Sequence, residues 1–254
     1  MNLSSFKKQY KALILDVDGT LIPNKRDGMP SKRVANSIAK ASKILHVGVA
    51  TSRPYFQFSH IVNYLRLSGL CITSAGAQII HASSKKILFE KPLLIQDFMA
   101  IGKFSKTLRV PLRIYDNNKY NTFSKEYIPN RPIVIWVHGL TPTQADEFTK
   151  RFSHISTIAI HKLPSWKKRK IDLSITHAVA TKQHAILELA KLLKIETHEI
   201  IGVGDGYNDF PLLMACGLKV AMGNAVDDLK EIADYIAPSV EEDGVADVIE
   251  KFIL

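Results

Sequence analysis

The chain has 254 residues, of which 46% are hydrophobic and 23% are charged, and this balance excludes a largely disordered protein. No stretch approaches the ~18 apolar residues of a membrane span, the first eight residues lack a secretory apolar core, and two cysteines make no disulfide framework, so we expect a cytoplasmic protein without a membrane partner. The formal net charge is +10, which suits an anionic ligand.

The first 83 residues predict alternating strands and helices. Ala12–Leu15 is a short, continuous apolar run, as expected of a strand that is buried on both faces. Residues 31–45 have apolar side chains at helical spacing, and Ser31 is suited to be the N-cap. The next predicted elements are a strand at 47–51, a helix at 56–67 and a strand at 70–73. This alternation with short links predicts a parallel sheet flanked by helices.

The pattern changes after residue 83. Strand-like segments at 113–115, 132–137, 155–160 and 171–175 follow one another, with one helix at 141–152 that opens at Thr141-Pro142. Because these segments are arranged like hairpins, we predict an inserted α+β domain over 84–175 within a core domain formed by 1–83 and 176–254. The strand–helix alternation then returns, with helices at 181–194, 208–215 and 226–232 and strands at 199–203, 218–222 and 235–237.

The whole excess of positive charge lies in the predicted insert. Residues 84–175 contain 17 Lys and Arg against 7 Asp and Glu, whereas the rest of the chain contains 17 of each. The excess favours either an anionic ligand or a solvated basic surface. The basic run 167–170 lies beside Trp166, but no nucleic-acid-binding module surrounds it, so we interpret it as a hairpin tip or an exposed helix turn and expect no nucleic-acid partner.

Three of the predicted parallel strands end in polar residues. Asp16 and Asp18 follow the first strand, 51–53 follows the second, and 204–209 follows the first strand after the insert. Ligands of open parallel sheets bind at the carboxyl ends of the strands. Several carboxylates at one edge would repel one another unless a cation lay among them, and Mg²⁺ prefers oxygen ligands together with phosphate. The sequence therefore predicts a magnesium–phosphate site at this edge.

These residues resemble the four motifs of the haloacid dehalogenase superfamily. The motifs are Asp16-Val-Asp-Gly-Thr20, Thr51, Lys182 and Gly204-Asp-Gly-Tyr-Asn-Asp209. The insert and the C-terminal segments resemble the Cof-like branch of these hydrolases; the segments are Ala221-Met-Gly-Asn-Ala225, Ala233-Asp-Tyr235 and Asp243-Gly-Val245. The resemblance covers roughly 11–80 and 176–254 and is weak across 84–175. It implies an α/β fold, with a Rossmann-like parallel core and an inserted α+β cap that selects the substrate.

The resemblance also implies a reaction and its residues. A Mg²⁺-dependent phosphatase of this kind forms an aspartyl-phosphate, here on Asp16, and Asp18 acts as general acid and then as general base. Thr51 and Lys182 would bind and neutralise the transferring phosphoryl group. The implied metal ligands are Asp16, Asp18 through its backbone carbonyl, Asp205 and Asp209. The implied substrate contacts are Thr51, Ser52, Arg53, Lys182 and Asn208; Arg53 has the alternative of anchoring the strand-to-helix turn, and Asn208 that of holding Lys182.

Three positions depart from the family pattern. Ser52 and Gln183 stand where Gly often follows the motif residue, and Ala75 stands where Asn is common. None of them removes a catalytic group, so these departures leave the identity of the substrate open but do not affect the expected reaction. We expect a small phosphorylated metabolite, such as a sugar phosphate or a phosphorylated acid. A phosphomutase of the same architecture and a non-catalytic phosphate-binding regulator remain as alternatives, as do a monomer and a homodimer.

Overall fold

The computed structural model describes residues 10–24, 28–116, 119–122, 129–165 and 167–254. The first eight residues, which were considered above as a secretory signal, and Trp166 lie outside these residues. The chain divides into two compact units, one formed by Met1–Phe89 with Thr181–Leu254 and the other by Glu90–Ala180. Among the described residues, none of the helices combines the length and the apolarity that a bilayer crossing requires.

The elements are numbered in chain order. The strands are β1 (Ala12–Leu15), β2 (His46–Val49), β3 (Leu70–Thr73), β4 (Gln78–His81), β5 (Ile87–Glu90), β6 (Leu112–Asp116), β7 (Lys119–Thr122), β8 (Val134–Leu140), β9 (Ile158–Pro164), β10 (Ile171–His177), β11 (Ile200–Gly204), β12 (Leu218–Ala221) and β13 (Tyr235–Ile236). The helices are α1 (Lys32–Ala41), α2 (Tyr55–Leu65), α3 (Ile95–Thr107), α4 (Pro142–Phe152), α5 (Lys182–Leu193), α6 (Phe210–Ala215), α7 (Asp227–Glu231) and α8 (Gly244–Phe252).

The first unit is built on a five-stranded parallel sheet in the order β13-β12-β11-β1-β2. In the centre of the sheet, Leu15 of β1 is paired with Val203 of β11 on one side and with Val49 of β2 on the other. The carboxyl ends of these three strands therefore lie side by side. The predicted parallel sheet with flanking helices is confirmed.

Both faces of this sheet are covered, which explains the continuous apolar run of β1. Leu13 and Leu15 belong to a core cluster shared with α1, α2 and α8, whereas Ala12 and Ile14 belong to a second cluster shared with α5 and α6. All four side chains are fully buried. Each buried Leu or Ile stabilises the fold by roughly 1.5–3 kcal/mol, so this central strand holds the polar residues that follow it in place.

The strand β3 does not join the parallel sheet as a full member. It touches the end of β2 through one parallel bridge, between Ala50 and Ile72, and otherwise pairs antiparallel with β4 in a small three-stranded sheet, β3-β4-β5. The segment between β3 and β4 reverses the chain next to the residues that follow β2. This reversal becomes part of the candidate site described below.

The second unit is a five-stranded antiparallel sheet in the order β7-β6-β8-β10-β9. Its apolar cluster joins the side chains of alternate strand positions to those of α3 and α4; it includes Phe98, Ile101, Ile114, Ile135, Phe148, Leu173 and Ile175. The helix α4 begins behind Thr141 with a complete capping box to Gln144. The run 167–170 forms the tip of the antiparallel β9–β10 hairpin, where the Lys170 N–H donates to the Lys167 carbonyl.

Candidate active site

The candidate site begins where β1, β2 and β11 end. The backbone N–H of Asp16 donates to the carbonyl of Val203 at 2.9 Å, so the ladder between the strands continues as far as this carboxylate. Asp205 follows β11 directly, and Thr51 follows the end of β2. The parallel register thus brings side chains together that are up to 189 positions apart in the sequence.

Three carboxylates and one ammonium group form the buried centre of the site. One oxygen from each of Asp16, Asp205 and Asp209 lies within 4.8 Å of the others, an arrangement that suits a metal ion. The Nζ of Lys182 donates to Asp16 Oδ1 at 2.6 Å and to Asp209 Oδ1 at 2.5 Å. Lys182, Asp16 and Asp209 are at most 4% exposed, so their charges interact with little screening by water.

The electrostatics of this centre follow from burial and repulsion. Burial raises the pKa of Asp16 well above its ordinary value, the charge of Asp209 raises it further, and Lys182 opposes both effects. Burial and the charge of Asp209 also raise the pKa of Asp205 to about 7. Burial alone would lower the pKa of Lys182, but the charges of Asp16 and Asp209 outweigh burial and raise it above its usual value. Lys182 is therefore a permanent cation at neutral pH.

The loop after β11 fixes Asp209. The Oδ2 atom of Asp209 accepts hydrogen bonds from the backbone N–H groups of Asp205 and Gly206, each at 3.0 Å. A Cβ atom on Gly204 would lie 2.5 Å from the Cβ of Asp209, so only glycine fits where this side chain folds back. With Oδ1 held by Lys182, Asp209 is fully ordered by the protein itself and keeps Asp205 and Lys182 in fixed positions.

The loop after β1 fixes Asp205 from the other side. Gly19 has a φ of +82°, and a Cβ atom there would lie 2.1 Å from Asp205 Oδ2, so glycine is required by conformation and by space. The Thr20 hydroxyl donates to Asp205 Oδ1 at 2.9 Å. The Asn224 side chain donates to the Gly19 carbonyl at 2.8 Å and accepts from the Val240 N–H at 2.9 Å. The C-terminal segment therefore supports the first aspartate loop.

Asp18 lies apart from the three clustered carboxylates and pairs with Arg53. Arg53 Nε donates to Asp18 Oδ2 at 2.8 Å, and Arg53 Nη2 donates to Asp18 Oδ1. The backbone N–H of Arg53 also donates to the hydroxyl oxygen of Thr51 at 3.1 Å. The Thr51 oxygen is the acceptor in this contact, so the contact does not use the hydroxyl proton.

A left-handed turn supports the residues that follow β2. Ser74, Ala75 and Gly76 all have positive φ values, of 53°, 60° and 104°. The Ser74 N–H donates to the Arg53 carbonyl and the Ala75 N–H donates to the Thr51 carbonyl, both at 3.1 Å. A Cβ atom on Gly76 would lie 2.3 Å from the carbonyl oxygen of Thr181, immediately before Lys182. The turn thus links the Thr51 segment to the start of α5.

Comparisons of the sequence and the fold with known proteins identify relatives of this chain. The sequence model of the haloacid dehalogenase-like hydrolases matches residues 13–131 and 116–249. This chain belongs to that family. A 5-amino-6-(5-phospho-D-ribitylamino)uracil phosphatase of Bacillus subtilis is 28% identical over 96% of both chains, and phosphoglycolate phosphatase 1 of Saccharolobus solfataricus is 23% identical over 96% of both. A haloacid dehalogenase-like hydrolase from Bacteroides thetaiotaomicron has the same fold, with a TM-score of 0.83 at 23% identity, covering 95% of this chain and 99% of that one.

The family prediction made from the motifs is therefore confirmed, and the protein is a phosphoric monoester hydrolase of the haloacid dehalogenase-like family. Hydrolases of this family generally use a metal ion and act on phosphorylated small molecules. In this chain, the acidic cluster of Asp16, Asp205 and Asp209 is the candidate metal site. The donors are all carboxylate oxygens, the set that a hard divalent cation prefers.

The structure brings most of the predicted site residues of this hydrolase together, although it places two of them at the rim. Ser52 is half-buried in the bend that follows β2, and Asn208 is exposed. Lys182, which Asn208 could have held, is held by Asp16 and Asp209 instead. The carboxylate of Asp18 is paired with the guanidinium of Arg53.

Several residues that shape the site are not indicated by the sequence patterns described above. Thr20 and Asn224 lie within recognised motifs, but their contacts with Asp205 and Gly19 join segments about 200 positions apart. The hydroxyl of Thr181 accepts from the His184 N–H and caps α5, which places Lys182 in the first turn of that helix. Helix capping could have indicated Thr181, whereas the other two contacts have no signal in the local sequence.

Proposed function

We propose that this hydrolase is a Mg²⁺-dependent phosphatase that acts on a small phosphorylated metabolite through an aspartyl-phosphate on Asp16. The observation that supports this most directly is the buried ammonium group of Lys182, 2.6 Å from Asp16 Oδ1. A cation fixed beside a carboxylate nucleophile can stabilise the charge of a transferring phosphoryl group. The same cation holds Asp16 in one orientation, which a nucleophile requires.

The donor set fits Mg²⁺. The raised pKa values of Asp16 and Asp205 arise in part from mutual repulsion among three clustered carboxylates, which a divalent cation would relieve. We propose Asp16, the backbone carbonyl of Asp18, and Asp205 as ligands, with Asp209 supporting the site. Both oxygens of Asp209 already accept hydrogen bonds, so we assign it to positioning or to a water-mediated contact. When bound, the ion would neutralise phosphate charge.

The proposed reaction has two steps. An oxygen of Asp16 attacks phosphorus while the bond from phosphorus to the leaving oxygen breaks, and the Asp18 carboxyl gives its proton to that oxygen. Asp18 then takes a proton from the water that attacks the aspartyl-phosphate, which releases inorganic phosphate and restores Asp16. The Thr51 hydroxyl donates a hydrogen bond to a phosphoryl oxygen, and Lys182 neutralises the charge of the phosphoryl group. Ser52 and Asn208 are the proposed contacts for the rest of the substrate, whereas the Arg53 guanidinium is already paired with Asp18.

We propose an anionic or highly hydroxylated leaving group, in a sugar phosphate or a phosphorylated acid. Glu90–Ala180, the proposed cap unit, contains 15 Lys and Arg against 7 Asp and Glu, which favours an anionic partner. The names of the two related phosphatases point the same way, since one acts on a phosphorylated ribityl compound and the other on phosphoglycolate.

The test is phosphate release from an aryl phosphate and from a panel of phosphorylated metabolites, with and without Mg²⁺. We expect release by the wild type in Mg²⁺ only, and none by Asp16→Asn, which keeps the shape of the side chain but is not a nucleophile. Equal release by the variant would exclude Asp16 as the nucleophile. No release from any ester would instead favour a phosphomutase, which a sugar phosphate with a bisphosphate activator would reveal.

A further inference from the structure

The contact between Arg53 and Asp18 has a geometry that a simple ion pair does not need. The guanidinium uses Nε and Nη2 on the two different oxygens of one carboxylate, so the planes of the two groups are fixed relative to each other. Asp18 has 31% of its side chain exposed and Arg53 has 17%. The ion pair is thus largely shielded from water, while part of the Asp18 side chain stays accessible to a ligand.

The backbone of Arg53 is held on both sides. Its N–H donates to Thr51 Oγ1 and its carbonyl accepts from the Ser74 N–H, both at 3.1 Å. Arg53 is therefore anchored to the hydroxyl that is expected to contact phosphate and to the left-handed turn after β3. Because the Arg53 backbone is held in place, its side chain fixes the Asp18 carboxylate after β1 relative to the residues that follow β2.

We propose that Arg53 is a positioning residue that orients the Asp18 carboxylate for proton transfer to the leaving oxygen and from water, an inference that rests on the proposed function. Both oxygens of Asp18 accept from the guanidinium in this structure. When Asp18 carries or accepts the proton, we expect one oxygen to stay bound to Arg53 while the other turns to the leaving oxygen or the water. The proton balance is unchanged, since Arg53 only donates hydrogen bonds and gives up no proton. This role differs from a direct contact of Arg53 with the substrate.

The role predicts a dependence on the leaving group. Proton donation by Asp18 matters for a poor leaving group, such as phenolate, and hardly matters for 2,4-dinitrophenolate, which leaves without a proton. If Arg53 acts through Asp18, the substitution Arg53→Gln lowers kcat/KM about 30- to 100-fold for phenyl phosphate but less than about 5-fold for 2,4-dinitrophenyl phosphate. A residue that binds the phosphate itself would lower both values equally.

The positioning role also predicts that the effects of substitutions at Arg53 and Asp18 on kcat/KM are not additive. In the Asp18→Asn background, Arg53→Gln should lower kcat/KM for phenyl phosphate by less than about a further twofold, against a loss of about 30- to 100-fold in the wild-type background, because the group that Arg53 orients is already impaired. Arg53→Lys keeps the charge but cannot form two parallel hydrogen bonds, so its kcat/KM for phenyl phosphate should lie between those of the wild type and Arg53→Gln. The matched control is Arg33→Gln, which removes a half-exposed Arg–Glu250 pair from α1 and should retain wild-type rates with both esters.

The experiment measures kcat/KM for both esters in the wild type, the three Arg variants, Asp18→Asn and the Asp18→Asn/Arg53→Gln double variant. Thermal unfolding of each confirms that it is folded. Equal losses on both esters, or a double variant whose loss on phenyl phosphate is the product of the single losses, would overturn the inference and favour a substrate contact. Activity that survives Asp16→Asn would overturn the proposed function itself, so the two failures are distinguishable.

Discussion

The substitution Lys182→Met removes the buried positive charge at the centre of this site. Met matches the length and apolar volume of the lysine stem but provides no cation. In the wild type, the ammonium group makes two short charge-assisted hydrogen bonds, of 2.6 Å to Asp16 and 2.5 Å to Asp209, and is 3% exposed. Lys182→Met therefore leaves two buried carboxylates that face each other without a counter-charge.

The size of the loss in free energy of unfolding follows from the burial of the charged groups. Removing one partner of a buried ion pair costs about 3–5 kcal/mol, because the remaining charge has neither water nor a counter-ion. We expect a loss in this range at pH 7.5 in the absence of Mg²⁺. This is a large part of the ~5–15 kcal/mol that stabilises a typical domain.

The loss should depend on pH with a defined sign. The pKa of Asp16 is raised in the folded state even with Lys182 present, and it rises further when the opposing charge is removed. A carboxyl whose folded pKa exceeds its unfolded value of ~3.9 destabilises the fold increasingly as pH rises between the two values. The destabilisation of Lys182→Met relative to the wild type should therefore shrink as pH falls from 7.5 towards 5.

Urea unfolding at pH 7.5 and at pH 5 measures both effects. The control is Lys191→Met, which removes a largely exposed lysine paired with Glu188 at 2.8 Å on the same helix and should cost about 0.5 kcal/mol or less. A Lys182→Met variant within about 1 kcal/mol of the wild type at pH 7.5, by the reasoning above, would refute the account, as would a loss that grows towards acid pH.

Three further predictions concern Gly19, His46 and Asp205. Gly19→Ala should lower kcat/KM at least about 100-fold, because the new Cβ would displace Asp205; wild-type kinetics would contradict this. Burial lowers the pKa of His46, so its contribution to the free energy of unfolding should be constant above pH ~6.5 and fall by up to about 1.4 kcal/mol per pH unit below it. The difference in urea stability between the wild type and His46→Gln should show this slope, and a difference that does not change with pH would contradict the prediction. At 100 Kd, Mg²⁺ should stabilise the wild type by about 2.7 kcal/mol in a thermal shift assay, whereas an equal shift in Asp205→Asn would exclude Asp205 as a ligand.

Local sequence patterns predicted most elements of the first unit. The continuous apolar run of β1 indicated a strand buried on both faces, and Ser31 caps α1 as expected, with its side chain accepting from the Val34 N–H. By contrast, α3, α8, β4, β5 and β7 were not predicted. The helix α3 follows Leu94, which cannot cap it, so the usual start signal is missing there. The helix α8 follows Asp243, a residue type that is suited to an N-cap although its side chain makes no capping hydrogen bond. The spacing of Phe98 and Ile101 was still available as a weaker sign of α3.

The candidate site could be predicted only in part, for a physical reason. Residue types and strand ends indicated Asp16 and Asp205 because sheet topology brings such positions together, whereas Lys182 was indicated by the resemblance to the family motifs. The pairing of Arg53 with Asp18 depends on side-chain conformations that no spacing encodes, as does the contact of Thr20 with Asp205. The turn at 74–76 was noted only for Ala75, while its three positive φ values depend on packing against Thr181.

The central claim is that Asp16 becomes phosphorylated during turnover. Mass spectrometry of peptides from Asp18→Asn, quenched in acid after mixing with 2,4-dinitrophenyl phosphate and Mg²⁺, tests it directly, since this variant lacks the base that hydrolyses the intermediate. The account predicts one phosphoryl group on the peptide that contains Asp16, and none when Asp16→Asn is added. A phosphoryl group on another residue, or an active enzyme whose Asp16 is never modified, would contradict it.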